Sequence, residues 1–295
     1  MNYLLSFADS RLGGYVRNPR RRLQRQAEAM GIFGDRIRIW TERDLDDDFR
    51  ERMKKHLVSG SRGYGYWCWK PQVVLQLLRE MDDGDVLLYV DAGCHLNPKG
   101  IKRLEEYFEL AKEHGIVAFQ ARSMDDSRRF DVTQHFLPDG EWCKGDLLDY
   151  FGVRHEQSVT QTGQLGGTAF LVQKDKESVH FFEEFRQLFY DHFELCDDTP
   201  SVTENLPGFV ENRHDQSVFS LLGKKHGVLS LSCAEYVLVN CYAPESEKRQ
   251  HNFWTKYWTD LSCFPIWCRH DKGGVRSLFP VWVKNVVHSL TKGMV

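Results

Sequence analysis

Four short stretches of the chain combine residue types that can do chemistry. In DVLLYVDAGCHLN, residues 85–97, five apolar residues stop at Asp91 and are followed by Ala92 and Gly93. A carboxylate is poorly tolerated in an interior unless it is paired or bound to a metal, so Asp91 is expected to meet a partner where the apolar run ends. Such a carboxylate suits a hard divalent cation that in turn neutralises phosphate, and Gly93 lets a ligand approach the backbone. The same spacing also fits an Asp91 that only caps the following turn.

In RGYGYWCWKPQVVLQLL, residues 62–78, an aromatic and basic loop (Arg62, Gly63, Tyr64, Gly65, Trp67, Trp69, Lys70) precedes a helix expected to begin at Pro71. Val74, Leu77, Leu78 and Met81 would form its buried stripe. Rings can stack on a base or sugar, and Lys70 near a helix N-terminus can pair with phosphate. Core packing explains at least one of the tryptophans equally well.

ENRHDQSVFSLL, residues 211–222, sets a cation, a titratable base, a carboxylate and an amide side by side in Arg213, His214, Asp215 and Gln216. Asp215 also has the position of an N-cap for the amphipathic helix that follows. In TGQLGGTAFLV, Gly166 and Gly167 stand before a buried strand, where missing side chains permit close backbone approach. This is not a dinucleotide fingerprint, which links a strand to a following helix.

These stretches must be held by a scaffold. Apolar runs occur near residues 3–7 and at 36–40, 86–90, 116–119, 168–172 and 228–232, alternating with segments of helical period at about 20–30, 45–58, 71–81, 100–114, 175–192 and 215–223. Strands apolar on both faces and separated by helices indicate an α/β fold, with a mainly parallel, Rossmann-like sheet covered on both sides. In such a sheet ligands sit beyond the carboxyl ends of the strands, where Asp91 falls. After about residue 236 the sequence becomes irregular and aromatic (NFWTKYWTDLSCFPIWCRHDKGG), which reads as a cap over the sheet of residues 1–235 rather than a second domain.

The net charge of −3 argues against a dedicated nucleic-acid binder. The basic run Arg17–Arg25 reads as a solvated helix face. Eight cysteines without a C-x-x-C pair read as reduced thiols of a cytosolic protein. No signal peptide or membrane span is evident. The segment SLFPVWVKNVVHSL is expected to dock as a helix, with contact to a membrane surface as the alternative.

Taken in order, the four stretches resemble bacterial glycosyltransferases of the GT-A fold that build lipopolysaccharide, O-antigen or capsule chains. GYGYWCWKP through LLYVDAGCHLN is similar to their donor-binding half, where a basic helix leads into a strand ending in an Asp-x-Asp metal motif. RHDQSVFSLL is similar to the Asp-Gln helix start of the glycogenin-like galactosyl- and glucosyltransferases. The resemblance covers residues 1–235.

It implies transfer of a hexose from a nucleotide sugar, UDP-linked by preference, to a glycan or lipid-linked glycan, with Mn or Mg as cofactor. Asp91 would lie at the metal and diphosphate. Arg62, Tyr64, Trp67 and Lys70 would line the donor site, and Ser6, Ala8 and Asp9 would lie near the base. Ala92 and Gly93 would belong to the donor site, Gly93 leaving room for the diphosphate, and Gly166 and Gly167 would run along the donor sugar, with His214, Asp215 and Gln216 at the reacting carbon. The later metal-binding histidine would be His270, or else His251. Gly93 stands where the second aspartate is usual, so the metal would have fewer protein ligands. A sugar nucleotidyltransferase and a non-catalytic glycan-binding subunit are the competing readings.

Overall fold

The computed structural model describes residues 1–9, 19–120, 137–236 and 264–268. In chain order the strands are β1 (Asn2–Phe7), β2 (Ile37–Trp40), β3 (Val86–Val90), β4 (Cys94–Leu96), β5 (Ile116–Gln120), β6 (Ala169–Gln173), β7 (Leu229–Ser232) and β8 (Ile266–Cys268). The strands expected from the six apolar runs form one sheet in the order β2-β1-β3-β6-β5-β7, and β4 pairs with β8 in a separate ribbon. β1 is parallel to β2 and β3, and β5 to β7. β6 is antiparallel to both β3 and β5, which therefore share a direction.

The reversal of β6 has a local consequence for the ligand edge. The segment leading into β6 arrives at the edge where β1 and β3 end, and the Asp91 N–H donates to the Thr168 carbonyl at 2.8 Å.

The main helices are α1 (Pro19–Met30), α2 (Asp47–Met53), α3 (Trp69–Glu80), α4 (Ile101–His114), α5 (Lys176–Asp191) and α6 (Asp215–Lys225). Alternation along the strands divides the core into two clusters. Leu4, Leu88, Val90 and Leu171 pack with Leu23 and Ala27 of α1 and Leu104, Phe108 and Ala111 of α4. Leu5, Leu87, Tyr89 and Phe170 pack on the opposite face with α2, α3, α5 and α6. The result is the expected α/β layering.

Two elements differ from expectation. α3 begins at Trp69, with Pro71 inside the first turn, where its missing N–H breaks no helical bond. It is also buried from Trp69 to Leu78 rather than along one stripe. Gln76 donates to the Asp44 carbonyl at 2.8 Å and Gln72 to the Asp46 carboxylate at 2.9 Å, so the enclosed amides are satisfied.

The β4–β8 ribbon, built from three-residue strands, has too little pattern to be read from sequence. Ile266 and Cys268 belong to the α1/α4 core cluster, and the Pro265 carbonyl accepts from Asn97 N–H at 2.8 Å. A Cβ on Gly100 would stand 2.3 Å from the Pro265 nitrogen, so a side chain there would push this segment away.

Candidate active site

Lys70, Asp91 and Asp215 come from three of the four stretches and meet at one point. Lys70 on α3 is 3% exposed, and its Nζ lies 2.5 Å from Asp215 Oδ2 and 3.5 Å from Asp91 Oδ1. It also donates to the Gly167 carbonyl at 2.9 Å, which places all four segments around one ammonium. Burial opposes the Lys70 charge, but the Asp215 and Asp91 carboxylates outweigh it and raise its pKa. Asp215 moves differently: burial raises its pKa to about 6, against the pull of Lys70 and with the help of Asp91.

Asp215 is the first residue of α6 and sends its side chain to Lys70, while His214 takes the cap position without a side-chain cap bond. The expected N-cap role is therefore replaced by the ion pair. Asp91 does not cap its turn through its side chain either, since the Asp91 backbone carbonyl accepts from Cys94 N–H at 2.8 Å. Its Oδ1 accepts from Tyr89 OH at 2.8 Å. Burial raises the Tyr89 pKa well above its ordinary value, so the phenol remains a donor.

The chain enters the site under strain. Gly63, Tyr64, Gly65, Tyr66 and Trp67 have φ of 57°, 51°, 88°, 52° and 58°, a left-handed turn immediately before α3. L-residues in that region cost roughly 1–2 kcal/mol each. His214, directly before Asp215, has φ 54° and ψ −120°. The two strained places touch: the Trp67 and His214 rings stack at 5.8 Å, and Tyr66 lies 4.9 Å from His214.

Arg62 and Tyr66 OH both bond Asp198, at 3.1 and 2.9 Å. Strain of this kind persists only where surrounding contacts over-determine it. His214 is 2% exposed, its Nδ1 bonds the Cys196 carbonyl at 2.7 Å, and burial lowers its pKa. Its ring contacts Tyr66 and Trp67, not the Lys70 trio. Trp69 is core, stacked on Phe7 at 4.0 Å with its indole N–H on the Gly63 carbonyl.

The remaining candidates fall in several places. Ser6 is fully buried in β1, and its Oγ has no hydrogen-bond partner among the described residues. Ala8, 1% exposed, and the half-buried Asp9 follow at the carboxyl end of β1. A Cβ on Gly166 would lie 2.3 Å from Tyr236 OH, so that space is filled by a tyrosine of the chain itself. A Cβ on Gly167 would touch Asp215 Oδ2 at 3.4 Å. Gln216 donates to Gln164 Oε1 at 2.8 Å, which fixes its amide next to Asp215. His270, His251 and the C-terminal helix candidate lie outside the described residues.

Two contributors were not legible in sequence. Arg22, placed by pattern on a solvated face, donates to the Ala92 and Cys94 carbonyls at 2.6 Å each and fastens the loop after Asp91. Tyr89 is inconspicuous within an apolar strand, although its spacing of two from Asp91 places both on one face.

Among the described residues no group of three His, Cys, Asp or Glu side chains is arranged to hold a metal. Asp91, however, is 32% exposed, and among the described residues only its Oδ1 is engaged by neighbours. Its other oxygen fits a Mg-type ion that keeps its waters and is held by one carboxylate plus substrate phosphates.

No family model and no curated protein matches the chain. Among solved structures it is similar to apo mouse xyloside xylosyltransferase 1, at 14% identity over 95% of this chain and 100% of that one, with a TM-score of 0.43. It is similar to galactosyltransferase LgtC in complex with donor and acceptor sugar analogues, at 13% identity over 91% and 87%, TM-score 0.41. It is also similar to 4-diphosphocytidyl-2C-methyl-D-erythritol synthase from Anaerococcus prevotii, at 11% identity over 78% and 86%, TM-score 0.37. At these identities and scores the likenesses identify neither a family nor an activity.

Proposed function

We propose that this chain is a glycosyltransferase that moves a hexose from a nucleoside diphosphate sugar, UDP-linked by preference, to a hydroxyl of a surface glycan or lipid-linked glycan. The reading places it in the cytoplasm, at the inner membrane face where such acceptors are presented. The observation that carries it is the convergence of Lys70, Asp91 and Asp215, from separate motifs, at the ligand edge of the sheet. The order of those motifs is that of the GT-A glycosyltransferases the sequence resembles.

In this reading Asp91 is the residue that would hold a Mn or Mg ion, which would supply charge neutralisation to the diphosphate leaving group. Arg22 keeps the Asp91 loop in shape by binding its carbonyls. Lys70 fixes the Asp215 carboxylate, and Gly167 leaves room above it. Asp215, with a pKa raised to about 6, takes the proton from the acceptor hydroxyl as it attacks the anomeric carbon. Gln216 stands beside it to bind a sugar hydroxyl.

The test is turnover of UDP-glucose and UDP-galactose by Asp91→Ala and Asp215→Asn proteins whose far-UV spectra match the wild type. Each is expected to lose about 10²–10⁴-fold in rate. Near-normal turnover would remove the substituted residue from the mechanism. Release of nucleoside diphosphate is expected, and release of pyrophosphate would indicate nucleotidyl transfer instead. A base at Asp215 predicts inversion at the anomeric carbon; retention would reassign Asp215 to the sugar face.

A further inference from the structure

A second concavity, lined by none of the residues of the candidate site, takes no part in the chemistry above. It is a cleft of about 460 Å³ between the short helices Asp139–Trp142 and Gln157–Thr160 and the loop carrying Leu206 and Pro207. That volume is within the usual range of small-molecule sites. One of its walls leads along the chain towards the site. Thr160 and Gln161 lead to Gln164, which binds the Trp142 carbonyl at 3.1 Å and accepts from Gln216.

The lining selects a ligand class. Its cation, Arg154, is already taken up by Asp149, by Thr203 Oγ1 at 2.9 Å and by the Glu204 carbonyl at 2.7 Å. Glu141 on the opposite side would repel an anion. The guanidinium of this lining is therefore already neutralised by a carboxylate before a phosphate or a nucleotide could use it.

What the cleft does offer is His155, Gln157 and Gln161, all exposed. Imidazole and amide groups both donate and accept, which matches hydroxyls. Pro138, Leu206 and Pro207 add apolar surface suited to the C–H face of a pyranose ring. Gly140 lets the two short helices pack closely at the base of the cleft: a Cβ there would stand 2.9 Å from the Thr160 carbonyl.

We propose that this cleft is a subsite for a neutral oligosaccharide, holding sugar residues of the acceptor remote from the hydroxyl that reacts. The proposal rests on the glycosyl-transfer reading. Binding energy from such remote residues contributes to orientation at the reacting centre.

The experiment compares wild type with Gln157→Ala/Gln161→Ala, both exposed positions outside the catalytic trio. Each protein is applied to a printed array of neutral oligosaccharides of increasing length, with sulfated oligosaccharides and peptides as comparison probes. Hydrolysis of UDP-glucose without acceptor is measured in parallel. The wild type is expected to bind the longer neutral probes, and the double variant to bind them about tenfold more weakly, the equivalent of one or two hydrogen bonds. Donor hydrolysis should be unchanged by the substitutions.

Wild-type binding that the variant retains, or that only sulfated or peptide probes show, overturns the proposal. Because the array needs no turnover, failure of the glycosyl-transfer reading is seen separately, as an absence of nucleoside diphosphate release by the wild type.

Discussion

The pKa of Asp215 is raised from the ordinary 3.8 to about 6, with burial as the largest cause, and this makes a quantitative prediction about stability. The folded carboxyl binds its proton more tightly than the unfolded one. Its contribution to stability is therefore complete below about pH 4 and is lost as the pH rises through about 6. The gap corresponds to about 3 kcal/mol, at roughly 1.4 kcal/mol per tenfold in proton affinity. Asp215→Asn cannot titrate at this position, so the stability of wild type minus that of the variant should fall by that amount between pH 4 and pH 7.

Urea unfolding followed by tryptophan fluorescence measures this difference. At a slope of about 3 kcal/mol per molar urea, the midpoint gap should close or reverse by about 1 M. Taking a difference removes the titration of groups remote from the site. A gap that stays constant or widens with pH would refute the reasoning. It would mean that the attraction of Lys70 exceeds the cost of burial and that the Asp215 pKa lies at or below the ordinary value.

Lys70→Met should destabilise the protein by about 3–5 kcal/mol, because it strands buried carboxylate without its cation. Adding Asp215→Leu should recover part of that loss in the same urea assay, which a purely steric role for Lys70 would not allow. Gly166→Ala should cost about 1–3 kcal/mol, since its Cβ would meet the Tyr236 hydroxyl at 2.3 Å. Combining it with Tyr236→Phe should relieve the cost, as read from the melting temperature; equal losses in both backgrounds would refute that contact.

Much of the scaffold was legible because buried parallel strands have a plain signature. VLLYV is buried at every position in β3, and an apolar run of five residues bounded by turn residues is too short to be a buried helix. The reversal of β6 was not legible, since a strand apolar on both faces reads the same in either direction. Asp91, Asp215 and Lys70 could be singled out as charges placed against apolar sequence. Their mutual pairing could not, because it depends on α3 and α6 being brought against the same edge.

Arg22 was assigned to solvent because its neighbours are arginines. Its two carbonyl partners lie 70 and 72 residues away, beyond the reach of local pattern. The left-handed turn at 63–67 was similarly hidden: its glycines are visible, but nothing local requires Tyr64, Tyr66 and Trp67 to share their conformation.

The β4–β8 ribbon pairs Cys94 with Cys268, three residues after Asp91, so the turn that presents this carboxylate is braced by a strand made much later in synthesis. Contacts this far apart in sequence require closure of a long loop and raise the contact order that slows folding. A nascent chain that has released residues 1–236 from the ribosome can therefore complete the sheet while the Asp91 turn has its Arg22 contacts but not yet its pairing with β8. Full bracing of the turn after Asp91 is thereby coupled to synthesis of residues 266–268.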